Sequence, residues 1–81
     1  MIHVGFKNFI NEEKIVAVVD FTIKSQPILR AINNARDMGM VIDVTMGRLT
    51  KTAIFMESGH IVLSHSLTET ITERLKEAKQ C

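Results

Sequence analysis

The chain has 81 residues, of which 46% are hydrophobic, and its formal net charge is +1 at pH 7. This length predicts one domain spanning residues 1–81. Its core should be modest, and below about 80 residues folds often need disulfides, metals or partner subunits. The lone Cys81 excludes an internal disulfide and a cysteine-based metal site, so oligomerisation is the expected support. The near-neutral charge is not the strongly basic balance typical of nucleic-acid-binding domains.

The amino terminus has no basic region followed by a long apolar core, so it does not fit a signal peptide. No apolar run approaches the ~18 residues that a membrane-spanning helix needs. We therefore expect a soluble cytoplasmic protein with no membrane partner.

Three strands are predicted before the first helix. Ile2–Phe6 alternates apolar and other residues, which indicates a short strand, and Phe9–Ile10 fits a brief second one. Ile15–Phe21 is a nearly continuous apolar run rich in β-branched residues. That composition predicts a central strand buried on both faces.

The first helix is predicted from about Gln26 to Met38. Pro27 is tolerated in a first helical turn, where its missing N–H has no partner. Gly39 then stands where left-handed geometry ends many helices. Four apolar residues recur at helical spacing and form the predicted buried stripe: Ile28, Leu29, Ile32 and Ala35.

Residues 40–56 are predicted to form a β-hairpin. Two apolar runs, Val41–Val44 and Ala53–Phe55, flank a polar turn that contains Gly47. Glycine adopts positive φ without a Cβ clash, which suits it to a tight turn. Asp43 interrupts the first run. Because burial of a lone carboxylate costs free energy, Asp43 should be paired with another group or lie at a sheet edge.

A further strand and a second helix complete the prediction. Ser58–Gly59 marks a turn, and His60–Ser64 returns as a strand. Ser66 and Glu69 have the spacing of a capping box at the start of a helix from about Leu67 to Lys79. Runs of strands punctuated by helices predict an α+β fold with a mainly antiparallel β-sheet and two α-helices.

Positive charge is concentrated in the middle of the chain. Residues 24–51 carry five cations and two anions, a net charge of +3, whereas each flanking segment has a net charge of −1. The predicted turn displays Arg48, Thr50 and Lys51, which are suited to phosphate binding or to entering a DNA groove. Exposed turn charges are nevertheless most often only solvated, and composition alone favours that interpretation.

Several stretches resemble the RemA-like family of small bacterial regulators of extracellular-matrix and biofilm genes. They are Ile2–Asn8, Ala35–Asp37, Ile42–Lys51 and Ser58–Leu63. The resemblance continues to about Leu75 and implies a LytTR-like DNA-binding fold and a ring-like homo-oligomer. It also implies binding to promoter regions of double-stranded DNA. The family's turn often has a second arginine, and this chain has Leu49 there.

The resemblance also assigns DNA contacts. Arg48 becomes the first candidate, because a planar guanidinium binds phosphate or guanine through two hydrogen bonds. Thr50 and Lys51 are expected to contact phosphates in the turn that Gly47 permits. Lys14, in the loop before the third strand, is a further candidate because the family tends to be basic there.

No catalytic or metal site is predicted. His3, His60 and His65 follow no ligand spacing, and the sequence contains no nucleophile elbow, P-loop or dinucleotide fingerprint. We therefore expect a non-enzymatic regulator with no cofactor and no small-molecule substrate. Two alternatives stay open: an RNA-binding module, and an oligomeric scaffold without nucleic acid. The near-neutral charge and Leu49 favour the scaffold.

Overall fold

A computed structural model describes residues 1–23 and 25–79. Lys24, Gln80 and Cys81, the residue considered above for disulfides and metals, lie outside the described residues. A short 3₁₀ turn at Glu12–Lys14 precedes the third strand. The other elements of the described ranges are β1 (Ile2–Gly5), β2 (Asn8–Ile10), β3 (Ile15–Asp20), α1 (Gln26–Asp37), β4 (Val41–Asp43), β5 (Thr52–Met56), β6 (Ile61–Ser64) and α2 (Thr68–Lys79).

The larger sheet has four strands in the order β3-β5-β6-β4, and β1 and β2 form a separate antiparallel pair. Strand β5 pairs antiparallel with both β3 and β6, whereas β4 pairs parallel with β6. The predicted α+β fold, with a mainly antiparallel sheet and two helices, is therefore confirmed.

The predicted hairpin over residues 40–56 is wrong. Strand β6 lies between β4 and β5, with Val41 of β4 opposite Ile61 and Ala53 of β5 opposite Leu63. All four residues of β6 are buried, since the strand has a neighbour on each side and its side chains pack into the cores on both faces of the sheet. Residues 44–51 therefore form a connection that passes the end of β6. Local pattern identifies strands, but it cannot say which strand will occupy the space between two others.

The third strand is also placed differently from the prediction. Strand β3 lies at the sheet edge and pairs within the described chain only with β5. Its register shifts between Ile15 and Ala17, so Val16 sits at a bulge and is 69% exposed. An apolar run predicts burial on both faces, but Val16 and Ala17 are exposed in the single subunit.

Helix α1 covers one face of the sheet. Its residues Ile32 and Ala35 are buried against Ala53, Ile61 and Leu63. The predicted helical stripe is therefore correct at its centre, and the helix ends at Asp37, one residue before the predicted end.

The β1–β2 pair and helix α2 cover the opposite face. The residues buried there are Ile2, Val4, Val44, Ile54, Val62 and Ile71. Two hydrogen bonds fix β1 in this layer: Arg74 Nη1 donates to the His3 carbonyl at 2.7 Å, and Ser64 Oγ donates to the Val4 carbonyl at 2.6 Å. The turn that follows β1 is therefore held by both the sheet and α2.

Candidate nucleic-acid interface

The connection after β4 begins with a tight turn at Thr45–Arg48. The Arg48 amide donates to the Thr45 carbonyl at 3.1 Å. Met46 and Gly47 have φ values of 55° and 82°, and positive φ at both central positions indicates a type I′ turn. A Cβ on Gly47 would meet no atom within 4 Å. Backbone conformation, not lack of space, therefore makes glycine the preferred residue at this position.

Asp43 holds the start of this turn. Its Oδ1 accepts hydrogen bonds from the Thr45 hydroxyl at 2.6 Å and the Thr45 amide at 2.8 Å. These two bonds, in that order, lower the pKa of Asp43, and the positive charge of Arg36 lowers it further. The expectation that Asp43 is paired or lies at an edge is confirmed, because the paired carboxylate is on edge strand β4.

The end of the connection is tied to β6 and to the residue after β3. His65 Nδ1 donates to the Leu49 carbonyl at 2.8 Å, so this nitrogen carries the proton. The Lys51 amide donates to the Ser64 carbonyl, and the Lys51 carbonyl accepts from the Phe21 amide, each at 2.9 Å. The segment is anchored at both ends, while Met46, Arg48 and Leu49 between the anchors remain exposed.

A second tight turn joins β1 and β2 at Phe6–Lys7. These residues have φ values of 50° and 63°, and non-glycine residues seldom adopt such values. The Lys7 amide donates to His3 Nε2 at 3.0 Å, and Asn8 Nδ2 donates to the Gly5 carbonyl at 3.0 Å. Side-chain hydrogen bonds thus support a conformation that these residues do not prefer.

The two turns meet in space. The Arg48 guanidinium carbon lies 5.5 Å from the centroid of the Phe6 ring, within the range of a cation–π contact. We call the combined surface of Phe6, Lys7 and residues 46–49 the twin-turn tip. It brings Phe6, with Lys7 next to it in the same turn, to the predicted site residue Arg48, a contact that local sequence patterns did not predict. The feature of the sequence that could have pointed to Phe6 and Lys7 was the short loop between the two predicted amino-terminal strands.

The twin-turn tip itself carries Lys7 and Arg48 and no acidic residue, and the acidic residue nearest to it in sequence is Asp43, which holds the start of the first turn. Residues 2–11 and 44–56 contain Lys7, Arg48 and Lys51 but neither aspartate nor glutamate. Lys7 and Arg48 are exposed. A negatively charged polymer would therefore meet two accessible cations on a backbone that is already held in place.

The structure places Lys51 and Thr50 beside the twin-turn tip but in a different environment. Lys51 is half-buried and lines a small cleft with Asp20, Thr22 and Glu69. Two acidic residues, Asp20 and Glu69, therefore line the same cleft as Lys51. Thr50 is also half-buried. Their role in DNA contact remains a prediction.

Lys14 is separated from the other predicted contacts. It precedes β3, where Ile15 lies opposite Met56, and its Nζ is 3.9 Å from Glu57 Oε1. Lys51 immediately precedes the other end of β5. The structure therefore brings the turn of Gly47 and Arg48 to Phe6, the neighbour of Lys7 in sequence, whereas Lys14 lies at the other end of β5.

A metal site requires a cluster of ligand side chains, and a membrane-spanning helix requires a long apolar segment. Residues 1–23 and 25–79 contain no group of three or more histidine, cysteine, aspartate or glutamate residues that could hold a metal ion. No helix in the same ranges is long and apolar enough to cross a membrane. His60 Nδ1 is 2.7 Å from Ser58 Oγ, and His65 holds the Leu49 carbonyl, so both rings have structural contacts.

Comparison with known proteins shows to which family this sequence belongs. The family model RemA-like, described as extracellular matrix regulatory protein A-like, matches residues 1–75. Extracellular matrix regulatory protein A of Bacillus subtilis is 43% identical over 75 residues, covering 93% of this chain and 82% of that protein. A Desulforamulus reducens protein named only by a regulatory role is 44% identical over 82 residues, covering 99% of this chain and 89% of its own length. The chain is therefore a member of the RemA-like family of regulatory proteins.

Proposed function

We propose that this chain is a non-enzymatic transcriptional regulator that binds promoter regions of double-stranded DNA through the twin-turn tip. It acts as a ring-like homo-oligomer in the cytoplasm and controls genes for the extracellular matrix and biofilm formation. Membership of the RemA-like family and the name of the Bacillus subtilis relative support the regulatory role.

The position of Arg48 carries the DNA-binding proposal. Its guanidinium lies over the exposed Phe6 ring in a basic tip. A guanidinium can stack its face on an aromatic ring and still offer N–H groups to a phosphate. Because the backbone on both sides is hydrogen-bonded, little conformational freedom of the main chain is lost on binding, which favours affinity.

Exposed apolar surface far from the twin-turn tip supports the proposal that the chain forms a homo-oligomer. Two grooves flank the turn between β5 and β6, at the end of β5 opposite Lys51. One groove contains Ile42 and Val62, and the other contains Met38 and Phe55. Subunits joined there would leave the tips uncovered. Repetition of the tip then offsets the low charge of one subunit, because several linked contacts bind more strongly than one.

The test is a salt titration of affinity for promoter-containing duplex DNA, with the mass of the assembly measured in parallel. Arg48→Ala should lower the slope of log K against log salt by about 0.9 for each phosphate that the variant no longer neutralises. Arg30→Ala is the matched control, since it removes an exposed arginine from α1, outside the twin-turn tip.

Unchanged affinity and slope in Arg48→Ala, with an intact assembly, would contradict the proposal and favour the scaffold alternative. Two observations favour the scaffold alternative: the exposed apolar grooves and the near-neutral net charge of the chain. Preferential binding of single-stranded RNA over duplex DNA in the same assay would instead indicate the RNA-binding module.

A further inference from the structure

We propose that Met46 and Leu49 form an apolar wedge that enters the base stack of duplex DNA from the minor groove and kinks it. Arg48 and Lys7 bind the groove and backbone beside the wedge. This inference rests on the proposed DNA-binding function and extends it to a mode of recognition. The expected substrate is a duplex that contains easily unstacked pyrimidine–purine steps.

The first observation is the exposure of apolar side chains next to the cations. Met46 is 72% exposed and Leu49 is 66% exposed, and Phe6 in the adjoining turn is also exposed. Single exposed apolar residues are common on protein surfaces. Here the three belong to two turns that meet at the contact between Phe6 and Arg48, and exposed apolar groups that lie close together mark sites that bind a partner.

The second observation is that the backbone carrying the wedge is fixed. Leu49 is held through its carbonyl by His65, and the turn containing Met46 is held by the hydrogen bonds between Asp43 and Thr45. Met46 keeps a left-handed φ of 55°, a conformation unfavourable for a residue with a Cβ. A wedge must stay extended while it separates bases, and a pre-set backbone meets that need.

The third observation is the arrangement of charge. Arg48 stands between the two wedge residues in sequence, and no acidic residue occurs in residues 44–56. Proteins that kink DNA from the minor groove combine arginine or lysine in the groove with leucine, methionine or phenylalanine between base steps. Two copies of this chain meeting tip to tip would instead oppose like charges, which is unfavourable.

The test uses a duplex with 2-aminopurine at a central TA step and a donor and acceptor dye at its two ends. The wild-type oligomer should raise the 2-aminopurine fluorescence several-fold and bring the duplex ends closer. Leu49→Ala and Met46→Ala should lose both signals while keeping the assembly mass and the salt slope of binding. Ile23→Ala is the matched control, because Ile23 is 71% exposed but lies outside the twin-turn tip and outside both apolar grooves, and it should behave as wild type.

The outcomes separate the wedge from the proposed function. Wild-type binding without unstacking or shortening overturns the wedge and leaves DNA binding in place. No wild-type binding at low salt overturns both. A smaller assembly in Leu49→Ala or Met46→Ala would show that these side chains contact another subunit, and loss of both signals in Ile23→Ala would show that the effect is not specific to the tip. Either result overturns the wedge.

Discussion

Phe6 and Arg48 come from distant parts of the sequence, yet the ring centroid and the guanidinium carbon are 5.5 Å apart. Phe6→Leu keeps an apolar side chain but removes the aromatic face, so Arg48 loses its orientation. A cation–π contact at an exposed site contributes about 0.5–1 kcal/mol, so duplex affinity should fall roughly two- to five-fold. Fluorescence anisotropy with labelled promoter DNA measures this change.

Phe9→Leu is the control for that experiment, since Phe9 is exposed and stacks against His3 instead of Arg48. It should retain wild-type affinity. Equal losses of affinity in the two variants would mean that Phe6 has no specific role beside Arg48.

Gly47→Ala tests the geometry of the first turn. Gly47 has a φ of 82° with open space around its Cα, so alanine introduces backbone strain without a steric clash. The expected cost is about 1–2 kcal/mol of unfolding free energy, measured by urea denaturation, together with weaker DNA binding. Gly39→Ala is matched, because Gly39 has a φ of 71° and equally open surroundings at the end of α1.

Both glycine variants should therefore be destabilised, but only Gly47→Ala should bind DNA more weakly at temperatures where both remain folded. An equal loss of binding in Gly39→Ala would assign the effect to general stability and not to the turn.

The Asp43–Thr45 hydrogen bonds predict a particular dependence of stability on pH. The folded-state pKa of Asp43 lies below its unfolded value, so its ionised form stabilises the fold above the unfolded pKa. That contribution disappears as pH falls through the folded pKa. Asp43→Ala should therefore be less stable than wild type at neutral pH, and the difference should narrow under acid conditions.

Thr45→Val provides the second arm, since it removes the hydroxyl that is the largest cause of the lowered pKa while preserving side-chain shape. Urea denaturation across the acid range should show a shallower dependence on pH than in wild type. An acid dependence identical to wild type in Thr45→Val would show that this hydroxyl does not stabilise the carboxylate.

Ile32→Ala tests the packing of α1 on the sheet. Ile32 is almost fully buried against Ala53, Ile61 and Leu63, and truncation of such a residue costs about 2–5 kcal/mol. Small domains have total stabilities of about 5–15 kcal/mol, so the loss of stability should be plain in a thermal melt. Leu29→Ala, at a half-buried position on the same helix, should cost less, and a wild-type melt for Ile32→Ala would contradict the described packing.

Local features of the sequence predicted the helices well. Pro27 marked the first turn of α1, and the spacing of Ile32 and Ala35 marked its buried side, because capping and helical periodicity act within a few residues. The predicted start of α2 is one residue too early, because the first helical bond runs from the Ile71 amide to the Leu67 carbonyl and the helix begins at Thr68, so Leu67 and not Ser66 directly precedes it.

The arrangement of the strands could not be predicted in this way. Nothing near Val41 specifies that its strand will lie parallel to Ile61, and nothing near Val16 specifies an edge position. For the same reason, the sequence predicted only one part of the twin-turn tip. Arg48 is a candidate because of its own turn and the family resemblance, whereas the turn of Phe6 and Lys7 joins it through long-range packing.

The hydrogen bond from Ser64 to the Val4 carbonyl has a consequence for how the protein is made. During synthesis β1 leaves the ribosome before β6, so it cannot form this hydrogen bond until β6 has emerged. The second anchor of β1, Arg74, is made later still. Because Phe6 contacts Arg48 from the turn that follows β1, an unfinished chain lacks the bonds that hold the two turns together.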